Sequence, residues 1–351
     1  MAQSRLWPAG TLAITIAANI AETAILTFPA CFPDSVVGFT ADPNMADVRF
    51  IEYLFQAMRK QVKSHAYGSA QENINLEVLR KLEFPIPPLA VQTEIADYLS
   101  VLDDRITLLR ETNATLEAIA QSLFKSWFVD FDPVRAKMEG RVPEGMDEAT
   151  AALFPDSFEE TELGVVPKGW RVGQLDDLLV LQRGFDLPSQ DRESGQYPII
   201  AASGPSGTHI QAMVKGPGVV TGRSGVLGKV FLELEDYWPL NTTLWVKAFK
   251  AATPCFAYEL LRLLDFKSFN AGSAVPTLNR NHIHGLPYVI PDRRCVEHYE
   301  SLAIPLHQRC DENEKQAQTL VTLRDTLLPR LISGRLRLPD LNAALEEACV
   351  A

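Results

Sequence analysis

Apolar residues between positions 92 and 130 recur at alternating spacings of four and three, the most regular pattern in the chain. This spacing is typical of a coiled-coil seam and predicts one helix over 92–130, roughly 55 Å long at 1.5 Å per residue. Asn113 interrupts the seam, and we interpret it as a residue that sets register. The seam positions are Ile95, Leu99, Leu102, Ile106, Leu109, Asn113, Leu116, Ala120, Leu123 and Trp127.

A second, looser stripe follows 204 residues later and predicts another long helix over 293–338. A repeat this long indicates duplicated domains, because solenoid repeats recur at roughly 20–50 residues. We expect the two helices to pair antiparallel, with Pro305 kinking or delaying the second helix and Pro329 bending its end. The matching residues include Gly68–Ala70 with Gly272–Ala274, Asn75 with Asn279, Leu82 with Leu286, Leu102 with Leu306, Leu116 with Leu320, and Leu123 with Leu327.

Short apolar runs alternate with turn residues between positions 169 and 292, which predicts strands followed by one helix near 257–265. The earlier copy repeats this helix around 48–62, and we expect a core strand within Leu12–Leu26. Position 1 corresponds to position 205, so we expect the first copy to be incomplete. The predicted strands are Trp170–Leu181, Tyr197–Ala201, Gly218–Thr221, Lys229–Leu232 and Thr243–Val246.

The predicted fold class is therefore α+β, with two related mixed α/β domains, the first incomplete, separated by a pair of long antiparallel coiled-coil helices. The chain divides into residues 1–91, 92–130, 131–168, 169–292, 293–338 and 339–351. Most of the net charge of −11 falls in residues 130–163, an acidic Pro/Gly-rich linker or ordered crossover. The second globular unit, residues 164–292, is close to neutral, so we do not expect strong phosphate-dominated DNA affinity from this chain alone.

Composition excludes several classes of protein. A hydrophobic content of 46% fits a globular protein of about two domains. The five cysteines form no C-x-x-C pair, which favours a reducing cytoplasm over a disulfide framework. Asn19 and Glu22 interrupt the early apolar run, so we prefer a core strand to a secretory leader there.

The candidate catalytic motifs are weak. The glycine-dense run 204–228 has Val230 where a P-loop needs Ser or Thr, so we interpret its glycines as hairpin turns. His282 and His284 lie on one face of an extended run without a third metal ligand. We expect no catalytic residue and no metal on this chain.

An alternative interpretation is a free-standing nuclease, in which Asp156, Asp265 and Lys267 would hold a metal ion and a water molecule. The wide separation of these residues in the sequence disfavours it. Asp265 and Lys267 also fit an ordinary helix end.

Polar and basic residues crowd the predicted turns of the second copy and are candidates for DNA contacts. Arg and Lys bind guanine, Asn binds adenine, and Ser binds either bases or phosphate. Each residue also fits an ordinary surface-loop role, and Asn279 fits a structural turn. Arg223 and Lys229 are favoured because neighbouring glycines would let the backbone approach a ligand closely. The candidates are Arg183, His209, Lys215, Arg223, Ser224, Lys229, Asn279 and Arg280.

Several motifs resemble those of the specificity subunits of type I restriction-modification enzymes. They are Pro87–Leu99, Leu102–Ile106, Leu123–Arg135, Leu153–Phe158, Gly164–Trp170 and Leu328–Leu336. The resemblance implies a non-catalytic subunit with two target-recognition domains, each of which reads half of a split DNA sequence. In that interpretation residues 1–91 are a partial first target-recognition domain and residues 169–292 are the second.

The resemblance also implies partners. Methyltransferase (modification) subunits would dock on the helix pair and carry S-adenosylmethionine, and restriction (endonuclease) subunits would carry ATP and magnesium. No cofactor is expected on this chain, and no membrane partner. The alternative within the same family is a non-functional or half-site-only fragment that needs a second chain.

Overall fold

The computed structural model describes residues 5–17, 20–64, 79, 83–84, 86–269, 277–341 and 343. The chain forms two compact units. The first unit comprises residues 1–111 and 313–351, and the second comprises residues 112–312. Some residues that define the repeat lie outside the described part of the chain: Gly68–Ala70, Asn75, Leu82 and Gly272–Ala274.

Two long helices confirm the predicted duplication. The central helix spans Leu89–Phe128 and the distal helix spans Arg293–Ile332, and each contains 40 residues. Their first residues and their last residues are both 204 positions apart, so the sequence repeat is also a repeat of helix boundaries. None of the helices in the described part of the chain is long and apolar enough to cross a membrane.

The first unit contains a small antiparallel sheet, β1 (Leu12–Thr15), β2 (Thr23–Ile25) and β3 (Val36–Phe39), in the order β2-β1-β3. Helix α1 (Val48–Ser64) follows. Its apolar face is buried with β1 and with parts of both long helices, as its amphipathic spacing predicts. This core contains Leu12, Ile14, Phe50, Leu54, Ile95, Leu99, Leu327, Leu328 and Leu331.

Gln92 fixes the start of the central helix to the loop before α1. It is only 1% exposed. Its Nε2 donates to the carbonyls of Pro87 at 2.9 Å and Met45 at 3.1 Å, and its Oε1 accepts from the Asp47 amide at 3.1 Å. One buried amide thus satisfies three backbone groups that burial would otherwise leave unpaired.

In the first unit the long helices pack antiparallel. Ile106 and Leu109 cluster with Ala317, and Leu320 and Val321 pack against this cluster. The Arg324 guanidinium donates to the Asp103 carboxylate at 2.6 Å, and the Tyr53 hydroxyl donates to the other oxygen of that carboxylate at 2.6 Å. Residues with higher numbers on the central helix contact residues with lower numbers on the distal helix. The predicted antiparallel pairing is confirmed.

The second unit contains its own section of the helix pair. The Asn113 Nδ2 donates to the Cys310 carbonyl at 2.9 Å, and the Tyr299 hydroxyl donates to the Ala120 carbonyl at 3.1 Å. Both hydrogen bonds join the central helix to the distal helix and are consistent with one antiparallel alignment of the pair. Asn113 therefore has the kind of contact expected of an alignment residue.

Aromatic side chains form the centre of the second unit's core. The Phe128 ring lies 4.9 Å from Phe256 and 5.7 Å from Tyr299, both edge-on, as aromatic rings prefer. The Trp127 ring meets Phe154 edge-on at 5.1 Å. The Phe-Lys-Ser-Trp-Phe stretch at the end of the central helix is thus a packing motif.

Fourteen strands occur in the described residues, eleven of them in the second unit. The hairpin β4 (Phe158–Thr161) and β5 (Gly164–Pro167) precedes β6 (Arg171–Gln174), which pairs with β14 (Pro287–Ile290). A four-stranded antiparallel sheet has the order β11-β10-β13-β7, and a three-stranded sheet has the order β12-β8-β9. Their strands are β7 (Leu179–Arg183), β8 (Tyr197–Ala201), β9 (Gly204–His209), β10 (Gly218–Gly222), β11 (Val230–Glu233), β12 (Trp238–Pro239) and β13 (Thr243–Phe249).

The predicted acidic segment is packed and ordered. It contains helices α2 (Asp132–Met138) and α3 (Glu148–Ala151) before the β4–β5 hairpin. The Lys137 Nζ donates to the carbonyls of Ala151 and Phe154, which ties the two helical turns together. The crossover alternative describes this segment better than a free linker does.

Two local predictions were wrong. Of the two effects predicted for Pro305, a kink or a delayed start, the delay is wrong, because the distal helix begins at Arg293. The buried residues Ala303 and His307 on either side anchor the helix there, and this packing outweighs the lost hydrogen bond. The predicted strand Trp170–Leu181 is interrupted by α4 (Leu175–Leu178), because the Asp177 carboxylate accepts from the Gln174 amide at 3.0 Å and caps the turn.

Helix α5 (Pro254–Leu263) buries a carboxyl group. Glu259 is 1% exposed, and its Oε1 accepts from the Arg262 guanidinium at 3.1 Å. Burial raises the pKa of Glu259 to about 7, although Arg262 partly opposes the shift. Between its ordinary pKa and about 7, the folded state binds more protons than the unfolded state. Its stability therefore falls as the pH rises through this range.

Replacing Leu109 with Asp tests the helix pairing. Leu109 is 3% exposed, so an unpaired carboxylate there should lower the free energy of unfolding by about 3–5 kcal/mol. Thermal unfolding followed by circular dichroism measures the effect. The control is Leu108→Asp, because Leu108 is 52% exposed on the same helix and its change should stay within about 0.5 kcal/mol. Equal losses for both variants would contradict the pairing.

A Glu259→Gln variant tests the buried carboxyl. The wild type should lose up to about 3 kcal/mol of stability between pH 5 and pH 8 through this group, since one pKa unit corresponds to about 1.4 kcal/mol. The variant should show a flatter decline in denaturant unfolding over that range. Glu297→Gln, whose side chain is 52% exposed, should follow the wild type. If the stability of Glu259→Gln declined with pH as steeply as that of the wild type, the Glu259 carboxyl would not titrate in this range.

Candidate nucleic-acid interface

Two of the predicted arginines lie at one edge of the four-stranded sheet. Arg183 is the last residue of β7 and pairs with Leu244 of β13. Arg223 follows the last residue of β10, which pairs with Thr243 of β13. Because β13 lies between β7 and β10 and runs opposite to both, the chain positions the two arginines on either side of the start of β13.

A third segment joins the same edge. Ser224 and Thr277 form an isolated antiparallel bridge, and the Leu278 amide donates to the Arg223 carbonyl at 2.8 Å. Helix α6 (Arg280–His284) then begins, with the Asn279 side chain accepting from the Asn281 amide at 3.0 Å. These backbone bonds hold Asn279 and Arg280 beside Arg223.

Together these residues line a cavity of about 410 Å³, which we call the basic cleft. Its lining residues are Arg183, Arg223, Leu244, Thr277, Leu278, Asn279 and Arg280. Three arginines therefore line one cavity, in a chain whose net charge is −11. Such a concentration of positive charge attracts anions from solution.

Glycines at this edge of the sheet allow neighbouring main-chain segments to lie close together. A Cβ on Gly184 would meet the carbonyl oxygens of Leu240 and Pro239, and a Cβ on Gly222 would meet the carbonyl oxygen of Val226. The sequence had suggested that glycines near Arg223 admit a ligand. At Gly222 the close neighbour is instead the chain itself, so this glycine holds the turn that carries Arg223.

The three arginines differ in their side-chain partners. The Arg183 Nη2 donates to Asp186 Oδ1 at 3.2 Å, and its Nε approaches the Asn241 carbonyl at 3.5 Å. Arg223 and Arg280 have no side-chain hydrogen bond or ion pair with any residue that the structure describes. Within the described residues, Arg183 therefore has side-chain partners and Arg223 and Arg280 have none.

The other predicted contact residues lie elsewhere or are otherwise engaged. Lys229 donates from Nζ to the Ser203 carbonyl at 3.2 Å, and Lys215 is exposed in the loop before β10. His209 was predicted to lie in a loop, but it is the last residue of β9. It is 6% exposed, its Nδ1 accepts from the Glu193 amide at 3.1 Å, and its ring lies against Trp238. This burial leaves His209 poorly placed to contact a ligand.

Within the described ranges, no group of three or more His, Cys, Asp or Glu side chains could hold a metal ion. His282 and His284 lie on the short helix α6 and not, as predicted, on an extended run. The His284 Nε2 accepts from the Leu181 amide at 2.9 Å, which is a structural role.

Asp186 and Asn241 were missed by the sequence reasoning. The Asn241 Nδ2 donates to Asp186 Oδ1, the oxygen that also accepts from Arg183. Asp186 follows Arg183 by three positions after a glycine, which offered a weak local signal. Asn241 is 58 positions from Arg183 and offered none.

Comparisons with known proteins agree with this architecture. Residues 3–118 match the family model of the type I restriction modification DNA specificity domain. Over 375 residues the chain is 25% identical to the type I restriction enzyme MjaIX specificity subunit of Methanocaldococcus jannaschii, covering 96% of this chain and 80% of that protein. Over 372 residues it is 23% identical to the type I restriction enzyme HindI specificity subunit of Haemophilus influenzae, covering 84% and 79%.

A crystal structure of the type-I restriction-modification system S subunit from M. genitalium shares the fold, with a TM-score of 0.62 at 18% identity over 93% of this chain and 84% of that chain. Over most of its length the chain is therefore similar to specificity subunits of type I restriction enzymes.

A Gly184→Ala variant tests the frame of the basic cleft. The added methyl group would meet the Leu240 and Pro239 carbonyls, so the free energy of unfolding should fall by about 1–3 kcal/mol. Thermal unfolding measures this loss. Gly285→Ala is the control, since a Cβ there would meet only the Asn281 carbonyl oxygen at 3.6 Å, an ordinary contact. An unchanged melting temperature for Gly184→Ala would show that the edge is looser than described.

Proposed function

We propose that this chain is the DNA-sequence-recognition and scaffold subunit of a type I restriction-modification complex, which reads a split DNA target. The observation that carries the proposal is the duplication of the 40-residue helices at a distance of 204 residues, each preceded by a mixed α/β region. A duplicated chain offers two related surfaces, as a target with two parts requires.

The basic cleft supports a DNA-facing role for the second α/β region. Its three arginines present planar donors that suit both phosphate oxygens and the acceptor edge of guanine. Asn279 and Thr277 add polar groups that suit bases or phosphate. The chain's acidity disfavours tight binding by this subunit alone, so partners are expected to contribute phosphate contacts.

The long helices supply a scaffold. Apolar side chains remain exposed on the central helix, among them Val101 at 66% and Leu108 at 52%. Exposed apolar side chains on a long rigid helix suit a protein partner. We propose that methyltransferase subunits dock there and carry S-adenosylmethionine, and that restriction subunits carry ATP and magnesium.

Methylation mapping of genomic DNA with and without this gene tests the proposal directly. Loss of methylation at one bipartite motif is the expected result. Co-purification of the full chain with its methyltransferase subunits provides an independent measurement. Unchanged methylation together with failure to co-purify would contradict the proposal.

Arg223→Ala should weaken binding of the assembled complex to its target duplex. If Arg223 contacts a base, discrimination between matched and mismatched duplexes should fall by roughly 1–3 kcal/mol. If it contacts phosphate, affinity should fall equally for all sequences and the salt dependence should become shallower.

Fluorescence anisotropy at several salt concentrations separates these two outcomes for Arg223→Ala. Arg141→Ala is the control, because Arg141 is 61% exposed, pairs with Glu139 and lies outside the basic cleft. Equal binding by the Arg223→Ala variant and the wild type would remove this residue from the interface.

A further inference from the structure

We propose that Arg183 is a specificity-determining residue that reads a guanine, and that Asp186 and Asn241 are positioning residues that orient its guanidinium. This inference rests on the proposed function, because it assigns a base to the DNA interface at the basic cleft. It depends on how the guanidinium is held.

The contacts of Arg183 occupy only one edge of its guanidinium. The Nε–H and the adjacent Nη2–H form the side edge, and they face the Asn241 carbonyl at 3.5 Å and Asp186 Oδ1 at 3.2 Å. The end edge, formed by Nη1 and the second Nη2 hydrogen, has no partner among the residues that the structure describes. A planar guanidinium held along one edge presents the other edge in a fixed direction.

The free edge matches guanine. Two parallel N–H donors fit the O6 and N7 acceptors that guanine exposes in the major groove, and this pairing is the commonest specific arginine contact with DNA. A phosphate also accepts such a pair of donors, but it carries a negative charge that the adjacent Asp186 carboxylate repels, whereas guanine is neutral. The fixed donor pair beside a carboxylate therefore favours base reading by Arg183.

The holding groups are themselves fixed to the sheet. The Gly184 amide donates to the Thr243 carbonyl at 3.1 Å, and the Phe185 amide donates to the Pro239 carbonyl at 2.8 Å. Asp186 follows directly and also accepts from the Asn241 Nδ2. The carboxylate is consequently positioned by backbone bonds on one side and by a side-chain amide on the other.

Electrostatics support the same assignment. A carboxylate beside an opening that only gathered phosphates would lower affinity for DNA. The Arg183–Asp186 pair is largely exposed, with side chains 52% and 66% accessible, so it contributes little to folding stability. A role in orienting Arg183 explains why the Asp186 carboxylate lies beside the basic cleft. Arg223 and Arg280 have no such partner in the described residues, which suits them to phosphate contacts.

The test is a selection from a pool of DNA duplexes that carry a randomised segment, using the full chain assembled with its methyltransferase subunits. Sequencing of the bound duplexes gives the base preference at each position. We expect the wild-type complex to require a guanine at one position at least. Arg183→Lys should relax that position by roughly 5- to 150-fold and leave the others unchanged, because lysine keeps the charge but loses the planar pair of donors.

The Asp186→Asn variant distinguishes an orienting role from a purely electrostatic one, because only loss of an orienting role changes the base preference. If Asp186 orients Arg183, the same guanine position should relax although Arg183 is intact. If the carboxylate merely repels DNA, all sequences should bind more tightly with unchanged preferences, and its positioning role would be overturned.

The matched controls are Arg171→Lys and Asp177→Asn. Arg171 is 58% exposed and donates to Asp177 at 3.3 Å, so the pair resembles Arg183 and Asp186 but lies outside the basic cleft. Neither control should change a base preference. Circular dichroism confirms that each variant is folded.

Two failures are distinguishable. If the wild-type complex enriches no sequence, the proposed function fails, and the assignment of Arg183 fails with it. If the wild type enriches a sequence but Arg183→Lys enriches the same one, the function stands and the guanine assignment is overturned.

Discussion

Antiparallel packing of the central helix against the distal helix is the interaction on which both units depend. In the first unit, Leu99 of the central helix and Leu327 of the distal helix enter the core that covers the small sheet. In the second unit, Phe124 and Tyr299 come from opposite helices and meet in the aromatic core. The core of each unit thus includes residues of both long helices, and the paired helix residues, Leu99 with Leu327 and Phe124 with Tyr299, are more than 170 positions apart in the sequence.

The polar contacts within the helix pair act in a different way. An exposed ion pair on a helix contributes little, but Asp103 is shared by Arg324 and the Tyr53 hydroxyl, and so connects both long helices to α1. Asn113 makes fewer apolar contacts than a leucine would at this position. Its hydrogen bond to the Cys310 carbonyl forms only in the observed register of the two helices. Stability thus comes mainly from the leucines and aromatics, and alignment comes from a few polar groups.

The long-range pattern of the fold could be predicted from sequence, and much of the candidate site could not. Heptad spacing and the 204-residue repeat depend on many positions, so the helices were predicted correctly although Pro305 lies within one of them. The interruption at Leu175–Leu178 depends on a single cap formed by Asp177, which a strand pattern does not reveal. His209 resembled a loop residue because its buried contacts with Glu193 and Trp238 come from outside its own strand.

The basic cleft illustrates the same limit. Arg183, Arg223 and Arg280 were each candidates, but the neighbouring glycines favoured Arg223 and Lys229, and of these two only Arg223 lines the cleft. The grouping of the three arginines follows from the strand order, in which β13 separates β7 from β10, and strand order depends on pairing between distant segments. Sequence reasoning identified the residue types, and the topology selected those that lie together.

Gly184 and Gly222 have a consequence for how this surface can change over evolution. Each glycine lies against a main-chain carbonyl of a neighbouring segment and admits no side chain without a shift of that segment, whereas the adjacent Arg183 and Arg223 line the basic cleft. Exchange of the two arginines would alter the charge of the cleft and leave the main chain beneath it in place. Under the proposed function, new recognition properties can therefore arise by one or two codon changes, without redesign of the sheet that bears them.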